Sequence, residues 1–120
     1  MFSAKRLTGN IFEDKALEYL KSIGYILVER NYQTPYGEID LIMTDGKTGD
    51  FVFVEVKAVR TSSFGAAADK IDRKKLQKIH KSALVYQNTV GKFISMRFDA
   101  ICFEKARGFE TLKHYKSIFL

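Results

Sequence analysis

The chain has 120 residues, 46% of them apolar and 28% charged, which suits a single unit over 1–120 of ordinary composition with room for a hydrophobic core. Its longest apolar run is far too short to cross a bilayer, and Met1-Phe2-Ser3-Ala4-Lys5-Arg6 lacks a signal-peptide core, so a cytoplasmic protein without membrane contact is expected. The single cysteine, Cys102, excludes an internal disulfide, two histidines disfavour a structural zinc site, and the net charge of +6 points to a polyanionic partner.

Phe12, Ala16, Leu20 and Ile23 recur at helical spacing, so a helix is expected from Thr8, its N-cap, to a stop at Gly24. Residues 25–30 read as a strand and 31–37 as a connection, with a type I turn at Thr34-Pro35-Tyr36-Gly37. Strands at 38–42 and 51–57 flank the polar Asp45-Gly46-Lys47-Thr48-Gly49-Asp50, which predicts a hairpin. Residues 61–68 are small and polar and read as a loop able to close over a ligand. A second helix is expected over 71–87, with Ile71, Leu76, Ile79, Ala83 and Tyr86 inward and its lysines opposite. Strands at 97–103 and 111–115 complete an α-β-β-β-α-β-β order. That order predicts an α/β fold, a central mixed sheet of about five strands flanked by helices.

Two of these strands carry charge where apolar residues dominate. In Phe51-Val52-Phe53-Val54-Glu55-Val56-Lys57 the alternation puts Glu55 and Lys57 on one face, roughly 6.6–7 Å apart. Asp40, in Glu38-Ile39-Asp40-Leu41-Ile42, is placed to meet Glu55 across the hairpin. Two carboxylates 4 Å apart repel by roughly 4 kcal/mol at an effective dielectric of 20, and a divalent cation between them removes that strain. Mg²⁺, with Mn²⁺ as a substitute, would neutralise phosphate and activate water there, Lys57 would orient the water or stabilise developing charge, and Glu13 on the first helix is the natural fourth member. Glu38 shares a face with Asp40 and is a candidate ligand of a second ion, although capping of the Pro35–Gly37 turn or a lysine pair is the favoured explanation, and the number of ions stays open.

From Glu55 to Lys81 eight basic residues face three acidic ones, which accounts for most of the excess positive charge. Arg60, Ser62, Ser63, Lys74, Lys75 and Lys78 are therefore candidate contacts to nucleic acid. A solvated basic helix is the plain alternative for the lysines, an ion-pair network for the acids, and base stacking or packing over the hairpin for Tyr32 and Tyr36. Arg97 and Asp99 read as a structural ion pair, Cys102 as a core thiol, and His80 and His114 as histidines without acidic companions.

Gly37-Glu38-Ile39-Asp40-Leu41-Ile42, Phe53-Val54-Glu55-Val56-Lys57 with Arg60, and Arg97-Phe98-Asp99 together resemble the bacterial YraN-like family. That family resembles in turn the archaeal Holliday-junction resolvases and the PD-(D/E)xK, restriction-endonuclease-like superfamily. The resemblance runs from the Glu13 helix to the last strands and implies a restriction-endonuclease-like core. By position, Glu13, Asp40, Glu55 and Lys57 match the acidic residues and lysine of a metal-dependent nuclease, with Ile39 where the superfamily's nominal proline would stand. It implies a Mg-dependent nuclease acting on DNA, branched DNA included, and leaves a homodimer open. A non-catalytic nucleic-acid-binding module using the basic 60–81 patch is the competing reading.

Overall fold

A computed structural model describes residues 4–60 and 71–118, with side chains from residue 11 onward. The expected loop at 61–68, with Ser62 and Ser63, lies outside the described residues. Helix α1 spans Ala4–Ser22. It starts one turn earlier than expected, because Ala4-Lys5-Arg6-Leu7 favours helix strongly enough to extend it past Thr8 and carry Gly9. Gly24 stops it in the left-handed region, at φ +95°.

Strand β1 covers Tyr25–Thr34 and β2 covers Gly37–Asp45. The stretch expected as a connection is therefore mostly strand: Tyr32, Gln33 and Thr34 pair with Ile39, Glu38 and Gly37, leaving only Pro35 and Tyr36 as the turn. The Thr34 hydroxyl fixes that turn, accepting from the Tyr36 amide at 3.1 Å and donating to the Gly37 carbonyl at 2.9 Å. After the expected hairpin, β3 runs over Phe51–Arg60. Gly46 is required in its loop: its amide donates to the Gly24 carbonyl at 3.1 Å, and a Cβ there would lie 2.4 Å from that oxygen.

Helix α2, Arg73–Val90, begins at Asp72, whose carboxylate accepts from the Lys75 amide at 2.9 Å. It leads to β4, Met96–Ala106, and then β5, Phe109–Tyr115. The sheet order is β1-β2-β3-β4-β5, with β4 parallel to β3 and every other pair antiparallel. A parallel neighbour needs a crossover, and the chain segment containing α2 supplies it. The fold is the expected mixed sheet flanked by helices, a restriction-endonuclease-like core.

Alternation along the strands divides the interior. Leu41, Met43, Val52, Val54, Ile101 and Phe103 pack with Ala16, Leu17 and Leu20 of α1. Ile42 and Phe53 pack with Ile79, Ala83 and Tyr86 of α2, which places the two helices on opposite faces. Among the described residues no helix is long and apolar enough to cross a membrane.

A buried polar network ties the strand ends together on the α1 side. Asp99, fully buried, accepts from Arg97 Nε at 3.1 Å and from the Ser117 amide at 3.1 Å, and lies 2.8 Å from His114 Nε2. Arg97 also bonds Asp45 at 2.8 Å and the Tyr25 hydroxyl. The Arg97–Asp99 ion pair is as expected, but His114 has the acidic companion that its sequence neighbours do not show. β5 brings it to Asp99 through tertiary pairing. Cys102 is a core thiol, pushed up to about 11 by burial and by the charges of Glu104 and Glu55.

Candidate active site

The site forms where β2 leaves β3. Their pairing ends at Leu41↔Val54, and beyond it the Val56 amide donates not to a strand carbonyl but to Asp40 Oδ2, at 2.7 Å. Ile39, which strict alternation would place with Leu41, packs on the α2 side instead, so β2 turns over at Asp40. Asp40 thus sits in a fork between strands, accessible to side chains from both helices.

From the α2 side comes Glu55, only 7% exposed. Its Oε2 is buried without a hydrogen-bond partner, and the nearest cation is Lys75 Nζ at 3.7 Å. Burial, then the charges of Glu55 and Glu13, push Asp40 up to about 8 against the pull of the Val56 amide. Burial also raises Glu55, against the opposing charges of Lys75 and Lys57. Lys57 follows Glu55 on the same face of β3 and lies close enough for its charge to act on that carboxylate.

From the α1 side comes Glu13. Glu13, Glu38 and Asp40 each bring a carboxylate oxygen within 4.8 Å of the other two. Asn31 joins two of them: its Nδ2 donates to Glu13 Oε1 at 2.9 Å and to Glu38 Oε1 at 2.6 Å. Asn31 lies between residues paired with Leu41 and Ile39, hence opposite Asp40, and holds φ at +52°, a region that asparagine tolerates better than most residues. Arg30 is 2.8 Å from Asp14 and 3.8 Å from Glu13.

The four residues read as catalytic from sequence therefore lie together, Glu13 and Asp40 in one carboxylate trio and Glu55 and Lys57 beside Asp40 on β3. The candidate nucleic-acid contacts are divided. Lys74 and Lys78, one turn apart on α2, are exposed, while Lys75 turns to Glu55. Arg60 lies at the far end of β3, lining a cavity of about 210 Å³ with Phe12, Phe103 and Lys105. Sequence reading gave no role to Asn31 and left Glu38 ambiguous. The signal for Glu38 was its spacing of two from Asp40; Asn31 and Lys75 carried none, because only tertiary pairing brings them in.

All the ligand atoms the fork's carboxylates offer are oxygens, Glu55 is buried and Asp40 half-buried, and one buried Glu55 oxygen has no hydrogen-bond partner, with Lys75 3.7 Å away. Such a set of oxygens could hold a hard divalent cation.

The model of the uncharacterised protein family UPF0102 matches residues 12–103, a span that holds the whole fork. The chain belongs to that family. This is the YraN-like family that the motifs on β2 and β3 suggested. A UPF0102 protein of Sulfurihydrogenibium sp. (strain YO3AOP1) is 44% identical over 100 residues, covering 81% of this chain and 84% of its own. Another, from Brachyspira hyodysenteriae, is 38% identical over 120 residues and covers 97% and 98%. Among solved structures, Pyrococcus furiosus SfsA in complex with Ca²⁺ covers 93% of this chain and 63% of its own, at 14% identity and a TM-score of 0.34. So loose a likeness says nothing about the UPF0102 site.

Proposed function

We propose that this UPF0102 protein is a divalent-cation-dependent nuclease that hydrolyses phosphodiester bonds in DNA, with branched DNA as the substrate class to test first. The observation that carries the reading is the pair of carboxylates at the fork, buried Glu55 beside half-buried Asp40, with a Glu55 oxygen that has no hydrogen-bond partner and only Lys75 as counter-charge at 3.7 Å, and with Lys57 on the same face. Without a cation this arrangement costs stability, and selection for packing alone favours apolar side chains in such strands.

Asp40 and Glu55 would hold Mg²⁺ or Mn²⁺, with Glu13 in support. When bound, the ion supplies charge neutralisation at the scissile phosphate and polarisation of water. The Val56 amide fixes Asp40 through the 2.7 Å bond, so the carboxylate is aimed before any ligand arrives. Lys57 orients the attacking water and stabilises charge as it develops on phosphate. Lys74 and Lys78 on α2 hold the nucleic-acid backbone.

One observation favours a second reading, a nucleic-acid-binding module without catalysis: Lys75 already supplies a counter-charge to Glu55. The deciding experiment incubates purified protein with a four-way junction, flap, single strand, duplex and RNA hairpin in Mg²⁺, Mn²⁺ or chelator, beside Asp40→Asn. Metal-dependent cutting that the variant lacks establishes the nuclease and names its substrate. Tight, salt-sensitive binding without cutting establishes the module.

A further inference from the structure

Two strands and a helix enclose the cavity of about 210 Å³ at the far end of β3, on the α1 side of the sheet. Ala58 stands opposite Phe103 in the parallel β3–β4 pairing, and both pack with Phe12 of α1, whose ring centroid lies 5.1 Å from that of Phe103. These three side chains make an apolar floor. Two residues further along each strand, on the same face, Arg60 stands opposite Lys105, and both are exposed. Like charges directly opposite each other cost stability.

Glu110, opposite Lys105 on β5, also lines the cavity, but its carboxylate is held by Lys15 Nζ at 2.8 Å. Lys15, Arg60 and Lys105 thus meet one carboxylate, and among the described residues neither Arg60 nor Lys105 has an ion-pair partner. An anion between them removes the repulsion. The floor adds a second requirement, a flat or apolar body beside that charge. The volume is below the roughly 300–1,000 Å³ of pockets for drug-sized ligands, so one ring system enters and not two.

The cavity's place decides which ligand this is. Phe12 precedes Glu13 on α1, and Arg60 follows Lys57 by three residues of β3, about 10 Å. A B-form strand advances about 3.4 Å per nucleotide, so a strand with one phosphate at the fork reaches the cavity in about three steps.

We propose that this cavity receives one unpaired nucleotide of a bound strand, its base against Phe12, Ala58 and Phe103 and its flanking phosphates on Arg60 and Lys105. The inference deepens the proposed function and rests on it for the choice of a nucleic-acid strand. It narrows the substrate to one with an unpaired nucleotide about three positions from the bond at the fork, which continuous duplex does not offer.

Base and charge are separated by two labelled single strands, an oligothymidine and an abasic strand of equal length. Each is titrated with full-length protein in chelator and followed by fluorescence anisotropy. Wild type is expected to bind the oligothymidine about 5–150-fold more tightly, the usual effect of one base stacked on protein. Ala58→Leu, which fills the floor, should bring the oligothymidine down to the affinity of the abasic strand and leave the latter within about twofold, its folding checked by melting. Arg60→Gln and Lys105→Gln should each reduce the salt slope by about 0.7 on both strands. Nuclear Overhauser contacts between thymine methyls and the Phe12 ring are expected in wild type, a measurement that needs no variant. Equal affinity for the two strands, a base preference that survives in folded Ala58→Leu, or missing contacts to Phe12 would overturn the base site. Unchanged slopes in both charge variants would overturn the phosphate contacts. The test also separates the inference from the proposed function. A protein that prefers the oligothymidine through the cavity and cuts nothing in Mg²⁺ defeats only the nuclease. One that cuts in Mg²⁺ without a base preference defeats only the cavity.

Discussion

Asp40 and Lys57 mark two different uses of charge at residue scale. Asp40 is half-buried beside Glu55 and Glu13, so in metal-free protein a negative charge there is opposed by like charges, the carboxyl is pushed up to about 8, and near neutral pH folding costs the uptake of a proton. Asp40→Asn removes that cost while its amide oxygen can still accept from the Val56 amide. In chelator the variant is expected to melt higher than wild type by about 4 °C or more, the shift that roughly 1 kcal/mol produces in a domain this size. Added Mg²⁺ should then raise the melting temperature of wild type but not of the variant, by mass action on the folded state. A variant that melts lower in chelator would show that Asp40 serves the fold rather than a cation. Lys57 has the opposite profile. Lys57→Ala should lower turnover about 10²–10³-fold, the usual loss for one donor to a developing charge, and leave DNA affinity in Ca²⁺ within about twofold. A large loss of affinity with unchanged turnover would move Lys57 from the chemistry to the phosphate backbone.

Elements gather charges that sequence neighbours cannot show. Asp99 on β4 meets His114 from β5, Arg97 from its own strand and the Ser117 amide. Burial alone would raise its pKa, but these hydrogen bonds and the Arg97 charge hold it below the usual range. A depressed carboxylate contributes stability above its unfolded pKa of about 3.9 and loses it as pH falls through the folded value, so this network is one cause of acid unfolding. Asp99→Asn leaves Arg97 short of a counter-charge and His114 without its carboxylate partner, and is expected to cost about 3–5 kcal/mol by urea unfolding near pH 7. The difference should narrow as pH falls below about 4, where the unfolded wild-type chain takes up a proton at Asp99, and go on narrowing until the folded carboxylate is protonated too; a difference constant with pH would mean that packing, not charge, sets the cost. The sequence showed the Arg97–Asp99 half of this network through their spacing on one strand. It hid His114, because β5 finds its place only by pairing. The same limit applies at the fork. Alternation in Phe51-Val52-Phe53-Val54-Glu55-Val56-Lys57 placed Glu55 and Lys57 on one face, and the hairpin brought Asp40 near them. Asn31 and Pro35 looked like connection residues, so β1 was read too short, and the asparagine that joins Glu13 to Glu38 stayed invisible. Lys75 looked like one more exposed lysine until α2 set it against Glu55.

Over the whole molecule, the net charge of +6 understates how basic the outside is. Seven of the fourteen acidic residues are drawn into two clusters, Glu13, Glu38, Asp40 and Glu55 at the fork and Asp45, Asp50 and Asp99 around Arg97. Most of the lysines and arginines stay outside, and Lys74 and Lys78 form an exposed row on the helix whose Lys75 reaches the fork. A polyanion drawn to that row is thereby brought to the carboxylates, and cations at the fork remove the repulsion it would otherwise meet there. DNA binding should accordingly be strongly salt-dependent and tighter in Ca²⁺ than in chelator. Each phosphate contact contributes about 0.9 to the slope of log affinity against log salt on duplex and about 0.7 on single strands. Replacing Lys74 and Lys78 by glutamine should therefore reduce the slope by about 1.8 on duplex and lower affinity similarly for every sequence, with turnover at saturating substrate unchanged. Retained slope with retained affinity would take the DNA path off α2, towards Arg60 and Lys105 at the far end of β3, where the same measurement on Arg60→Gln would find it.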